Sequence, residues 1–287
     1  MQEPSSNELI LSFQCPDQIG IVHAVTGFLV AKGCNIINSQ QFDDASQDRF
    51  FMRVQARFPE HESIDALRAS FQPTADLYGM KWSMSQASAR PKVLIMVSKF
   101  DHCLNDLLYR WRSGQLKIDI PLIVSNHGDL AEVAKSQGIP FRHIPVTNDT
   151  KAGAEEELLS LVAEHEIDLV VLARYMQVLS DGLCNIMEGR IINIHHSFLP
   201  SFRGGKPYHQ AFDRGVKLVG ATSHYVTADL DEGQIIEQEI LRVEHSHTAT
   251  DLTIAGRDAE RVALARAVQW HAEHRILLNG NRTVVFK

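Results

Sequence analysis

The sequence is short of apolar runs. The longest, such as 93–97 and 169–173, stop well before the roughly 20 apolar residues a bilayer-spanning helix requires. Nor does it hold an excess of positive charge. Lys and Arg total 28 against 35 Asp and Glu, a net charge of −7, which argues against general phosphate-neutralising binding to nucleic acid. Cysteine is scarce, with four at positions 15, 34, 103 and 184. None forms a C-x-x-C pair or a zinc-like cluster, so reduced, packed thiols are expected. The opening residues MQEPSSNELI carry neither a basic stretch nor an apolar stretch, which predicts no secretory leader and a cytoplasmic protein without membrane contact. What is present is ordinary globular composition, 44% hydrophobic and 22% charged, in a length that suits about two domains.

The first 85 residues alternate between two hydrophobic periods. Residues 8–14 repeat apolar groups at period two and read as a strand. Residues 19–32 place Ile21, Val25, Phe28 and Leu29 on one helical stripe, closed by Gly33. Strands are expected at 34–41 and 49–57, a helix at 63–71 and a last strand at 78–83. The order βαββαβ predicts a ferredoxin-like domain over residues 1–85. The small polar segment 86–91 then reads as a linker ending in proline. From Lys92 apolar strands alternate with amphipathic helices. Strands are expected at 93–97, 122–125, 141–144, 169–172 and 191–195, and helices at 103–111, 129–136 and 154–165. That pattern is α/β, a Rossmann-like, mostly parallel sheet over 92–287. Later come strands at 217–227 and 233–242, one long helix over 250–278 and a closing strand at 283–286.

Ligands of such sheets bind beyond the carboxyl ends of the strands. The densest polar cluster in that position is Asn193-Ile194-His195-His196-Ser197. Side-chain alternation turns Asn193 and His195 to one side. An amide can hold a developing oxyanion, and an imidazole moves protons near neutral pH. Standing alone, Asn-x-His is more often a buried pair satisfied by backbone. Asp229-Leu230-Asp231-Glu232-Gly233 would supply a carboxylate to orient the histidine, or would be only an acidic turn.

Context decides between these readings. Over residues 191–238 the chain carries Asn193-x-His195-x-Ser197, Leu199-Pro200, Gly204, Gly205, His209-Gln210-Ala211, Gly220-x-Thr222-x-His224 and Leu230-Asp231-x-Gly233-x-Ile235-Ile236. This closely resembles the core of the formyltransferases that use formyltetrahydrofolate. The resemblance implies that Asn193, His195 and Asp231 are catalytic. Residues 172–180 (LARYMQVLS) are similar to that family's folate-binding segment, which implies substrate contacts at Met176, Gln177, Val178 and Leu179, faced by Thr227, Ala228 and Asp229. The family often has Arg where Gln177 stands.

Members that formylate a phosphorylated ribonucleotide hold its phosphate on a glycine-rich first turn after a strand. Here that turn is Ser98-Lys99-Phe100-Asp101-His102-Cys103-Leu104-Asn105-Asp106, without glycine and with Asp101 to repel a phosphate. If no amine acceptor binds, water is the remaining nucleophile. The N-terminal segment supports this reading. Cys15-Pro16-Asp17-Gln18-x-Gly20-Ile21-Val22 and Gly33-Cys34-Asn35-Ile36 resemble an ACT domain. An ACT domain followed by a formyltransferase-like domain resembles the formyltetrahydrofolate deformylases over nearly the whole chain. The resemblance implies hydrolysis of 10-formyltetrahydrofolate to formate and tetrahydrofolate, balancing one-carbon pools and supplying formate for purine synthesis. It also implies an amino-acid effector such as methionine or glycine. Asp17, Gly20 and Asn35 match the ACT ligand-loop positions, with plain turn and cap roles as the alternative. No tightly bound cofactor and no metal is expected, since His245-x-His247 reads as a solvated pair. Exposed sheet edges favour a homo-oligomer. The alternative activities are formyl transfer to an unphosphorylated amine, which would leave little free formate, and non-catalytic amino-acid sensing.

Overall fold

A computed structural model describes residues 7–199 and 207–287; Pro200, Gly204 and Gly205 lie outside the described residues. The chain divides into two compact units, one running to Ala89 and taking in Glu273–Lys287 as well, the other spanning Arg90–Ala272.

The first unit runs β1 (Glu8–Pro16), α1 (Ile21–Ala31), β2 (Asn35–Asp44), β3 (Arg49–Arg57), α2 (Ile64–Leu77) and β4 (Lys81–Gln86). Its sheet order is β2-β3-β1-β4, antiparallel throughout. Period-two alternation turns Leu9, Leu11, Phe13, Met52, Val54 and Ala56 to one face. There they pack on the helical stripes Ile21/Val25/Leu29 and Leu67/Phe71/Ala75. Helix α2 starts where Ser63 accepts the Ala66 N–H at 3.1 Å. It runs on past Pro73 to Leu77, beyond the expected end at 71, because Ala75 still faces the core. The last strand shifts along accordingly.

The second unit contains β5 (Lys92–Val97), α3 (His102–Arg112), β6 (Asp119–Ser125), α4 (Ala131–Ser136), β7 (Phe141–His143), α5 (Lys151–Glu164), β8 (Leu169–Leu172), α6 (Asp181–Ile186), β9 (Ile191–His195), α7 (Pro207–Asp213), β10 (Leu218–Tyr225), β11 (Ile235–Arg242) and α8 (Ala249–Ala272). The seven strands lie in the order β11-β10-β9-β8-β5-β6-β7. Strands β5 to β9 pair in parallel, while β10 runs antiparallel to both β9 and β11. This is an α/β fold with a mostly parallel sheet. Strands β5 and β8 are apolar almost throughout because helices cover both faces. The strand order reverses at β5, between β8 on one side and β6 on the other. A crevice is expected outside the carboxyl ends there. Helices α6 and α7 have six and seven residues, too short to show a helical period in sequence.

Residues 273–287 correct two expectations. The long helix stops at Ala272, and a hairpin follows, β12 (Ile276–Asn279) with β13 (Arg282–Val285). The run Arg275-Ile276-Leu277-Leu278 continues the apolar content of the helix and so hides the boundary. The hairpin belongs to the first unit rather than to the unit ending at Ala272. It covers the sheet face opposite the helices, where Leu277 and Phe286 cluster with Phe51. Polar bonds fix it there. Arg53 donates to the Glu273 carbonyl at 2.9 Å, Ser12 to the His274 carbonyl at 3.0 Å, and Asn279 to Asp44 at 2.7 Å.

Candidate active site

Strand β9 carries Asn193 and His195, β10 carries His224, and the connection from β10 to β11 brings Asp231 back over them. That connection is close-fitting. A Cβ on Gly233 would sit 1.7 Å from the Tyr225 carbonyl oxygen, so only glycine permits the approach. Asp231 itself adopts a left-handed backbone, φ 58°. The side chains connect in a chain of bonds. His195 Nδ1 lies 3.2 Å from Asp231 Oδ1, and that hydrogen bond holds the Asp231 carboxyl below its ordinary range. Asp231 is therefore ionised and His195 carries its proton on Nδ1. His195 Nε2 is buried without a hydrogen-bond partner.

The second imidazole has the opposite arrangement. His224 Nδ1 lies 2.8 Å from the Tyr225 carbonyl, so that nitrogen bears the hydrogen. Its Nε2, 3.2 Å from Asn193 Nδ2, accepts from the amide. Burial keeps His224 neutral by lowering its pKa. The amide of Asn193 is thereby oriented, with one N–H spent on His224 and one left over. A third imidazole, His196, stacks at 5.1 Å from His195 and is pushed down to about 4, chiefly by burial and then by the Arg174 charge.

These groups line one cavity of about 250 Å³. Its opposite wall is the segment after β8, which is tied at two points. Ser98, at the end of β5, accepts the Met176 N–H at 3.0 Å and donates to Asn126 at 2.6 Å. Glu155 on α5 accepts both the N–H, at 2.8 Å, and the hydroxyl of Ser180. Met176 and Val178 stay largely exposed. Beside them Arg174 is buried in a left-handed conformation, φ 66°. Its guanidinium lies 5.3 Å from the Phe100 ring centre and 3.4 Å from the buried Glu260. Glu260 also takes bonds from His102 at 2.7 Å and Tyr208 at 3.0 Å. Burial alone would raise its pKa, but the His102 bond and the Arg174 charge outweigh that and leave it lowered.

Of the residues singled out from sequence, Asn193, His195, Asp231, Met176, Gln177, Val178, Leu179, Thr227 and Ala228 all line this cavity. Asp229 is not among its lining residues; its carbonyl accepts the Thr227 hydroxyl at 3.1 Å. Asp17, Gly20 and Asn35 belong to the first unit. Gly20, φ 99°, precedes α1, Asp17 is exposed in the turn before it, and Asn35 opens β2 exposed. His102, Cys103 and Glu260 converge within 4.8 Å, a group with metal-ligand types. Burial holds the Cys103 thiol protonated, and Glu260 is already bonded to His102 and Tyr208. Sequence reasoning passed over Arg174, Glu260 and the role of His224. For Arg174 a signal existed, a cation placed directly after an unbroken apolar strand.

A doubly wound sheet with Asn, His and Asp converging beyond its strand ends defines a protein of the formyl transferase class, and residues 91–268 match the Formyl transferase family. Among solved structures, a glycinamide ribonucleotide transformylase from Symbiobacterium toebii is 28% identical with a TM-score of 0.65, over 69% of this chain and 95% of that one. The similarity is more extensive to formyltetrahydrofolate deformylases. One from Corynebacterium sp. (strain P-1) is 53% identical, over 97% of this chain and 98% of that protein. The crystal structure of another, from Burkholderia mallei, is 51% identical with a TM-score of 0.94, over 98% of this chain and 100% of that one. The chain belongs to the formyltetrahydrofolate deformylase family.

Proposed function

We propose that the protein hydrolyses 10-formyltetrahydrofolate to formate and tetrahydrofolate. The observation that carries this reading is the unpartnered Nε2 of His195, backed by Asp231 at 3.2 Å inside a cavity with an oriented amide donor. The pterin lies along residues 176–179, opposite Thr227 and Ala228, and the formyl group reaches Asn193. His195 Nε2 takes a proton from water as the oxygen bonds to the formyl carbon. Asp231 stabilises the imidazolium that forms. The free N–H of Asn193 and the charged His195 hold the oxyanion. On collapse the carbon–nitrogen bond breaks, its electron pair goes to the folate nitrogen, and His195 returns the proton there. The formic acid left behind ionises to formate. No step calls for a metal or a bound cofactor.

The residues at 98–106 favour water over a phosphorylated acceptor, because the turn has no glycine and α3 begins behind Asp101. The element order and sheet order of the first unit support reading it as a ferredoxin-like ACT domain that binds an amino acid at Asp17, Gly20 and Asn35. Methionine or glycine would then adjust one-carbon supply, and formate release would serve purine synthesis in the cytoplasm. The exposed edge strands β2 and β4 support a homo-oligomer.

The test is incubation of purified protein with 10-formyltetrahydrofolate and no amine, with formate and tetrahydrofolate measured together. Equal release of both, abolished in Asp231→Asn, is expected. Folded protein that binds folate yet releases neither would refute the hydrolase reading.

A further inference from the structure

We propose that Arg174 forms a carboxylate subsite beside the catalytic histidine, which receives the formate product. The proposal rests on the hydrolytic reading above and adds to it the destination of the anion. Arg174 is 9% exposed, and both its Nε and one terminal nitrogen are buried without a hydrogen-bond partner. A buried guanidinium with open donors is costly unless something completes it. Glu260 does not. Its Oε2 is bonded to His102 at 2.7 Å and its Oε1 to Tyr208 at 3.0 Å, while Arg174 Nε stands off at 3.4 Å.

Arg174 also lines the cavity that holds His195, His196 and Asn193. Phe100 lies beside it, with a second cation, Arg257, 5.5 Å from that ring centre. The neighbouring His196 imidazole, kept neutral by burial, adds no second cation there. The group that fits is a small anion whose oxygens accept the guanidinium N–H groups left open, a charge-assisted contact.

The chemistry supplies such an anion. Transfer of a formyl group to a neutral amine gives a neutral amide. Hydrolysis instead gives formic acid, which loses its proton and leaves a negative charge beside His195. Each catalytic cycle then creates one carboxylate within the cavity that Arg174 lines. The same cation repels a protonated amine from that side of the cavity, which favours water as the nucleophile.

The test uses carbon-13-labelled sodium formate without folate, so binding is read independently of turnover. Formate line broadening on the wild-type protein, weakened about tenfold or more in Arg174→Gln, is expected. Formate should also act as a product inhibitor of the wild type at matching concentrations. Equal binding to both proteins, or no binding to the wild type, overturns the subsite even where hydrolysis proceeds normally. Binding that depends on Arg174 in a protein without hydrolysis supports the subsite and refutes the function. Should Arg174→Gln fail to fold, Glu260→Gln serves instead. Removing that competing charge is expected to tighten formate about threefold or more, and unchanged affinity overturns the proposal.

Discussion

Three imidazoles share one cavity wall, and their surroundings assign each a separate part. His195 is backed by a carboxylate and keeps an open nitrogen, so His195→Ala is expected to lower kcat by about a hundred- to a thousandfold with the fold intact. Asn193→Ala should do the same, and near-normal turnover in either variant would remove these roles. His224 acts one bond away, by turning the Asn193 amide. His224→Leu is expected to lower kcat about tenfold or more while KM holds, and His224→Gln to recover part of the loss, as steady-state kinetics would read. His196 matters for pH. Its folded pKa of about 4 lies below the ordinary histidine value of 6.5. The unfolded chain therefore binds the proton first as pH falls, and stability drops between pH 6.5 and 4 and levels off below. The contribution is on the order of 1–3 kcal/mol after allowing for solvent screening. His196→Gln should flatten that part of a denaturation-against-pH profile. Asn193, His195 and Asp231 were legible in sequence because their motif spans fixed spacings. For Arg174 the sequence offers only a cation after an apolar strand, since its surroundings lie in a left-handed backbone and in a partner 86 positions away at Glu260.

At the scale of elements, the site depends on how two connections are held. The first is the return from β10 to β11. Gly233→Ala pushes a methyl into the Tyr225 carbonyl and must move Asp231 with it. A loss of about 2–4 kcal/mol in unfolding free energy, with activity falling further than stability, is the expected result. The second is the cavity-lining segment 174–180, tied by Ser98 at one point and Glu155 at another. Glu155→Ala frees the Ser180 end, and a KM increase larger than any change in kcat is expected. Strands β5, β8 and β9 were readable as apolar runs between helices. The boundary at Ala272 was not, because an amphipathic helix and the strand Ile276–Asn279 differ only in period and the strand has four residues.

On the scale of the whole molecule, the first unit is built from two separated stretches of sequence. Cutting the chain after Ala272 removes Leu277 and Phe286 from Phe51, the Glu273 carbonyl from Arg53 and the Asn279 amide from Asp44. Burial of two large apolar side chains alone is worth roughly 3–6 kcal/mol. A truncated chain should therefore show a destabilised first unit in urea titration, while residues 90–272, contiguous in sequence, keep their own transition. The arrangement also has a consequence in time. A ribosome finishes the helical face of the first sheet before residues 90–272 but makes its second cover after them. At synthesis rates of about 5–20 residues per second, the intervening stretch occupies roughly 10–40 s. Throughout that interval Phe51 and Arg53 stand uncovered on a nascent sheet. The first unit is thus completed only after the second has emerged, and a chaperone that shields β-sheet faces would have a long opportunity there.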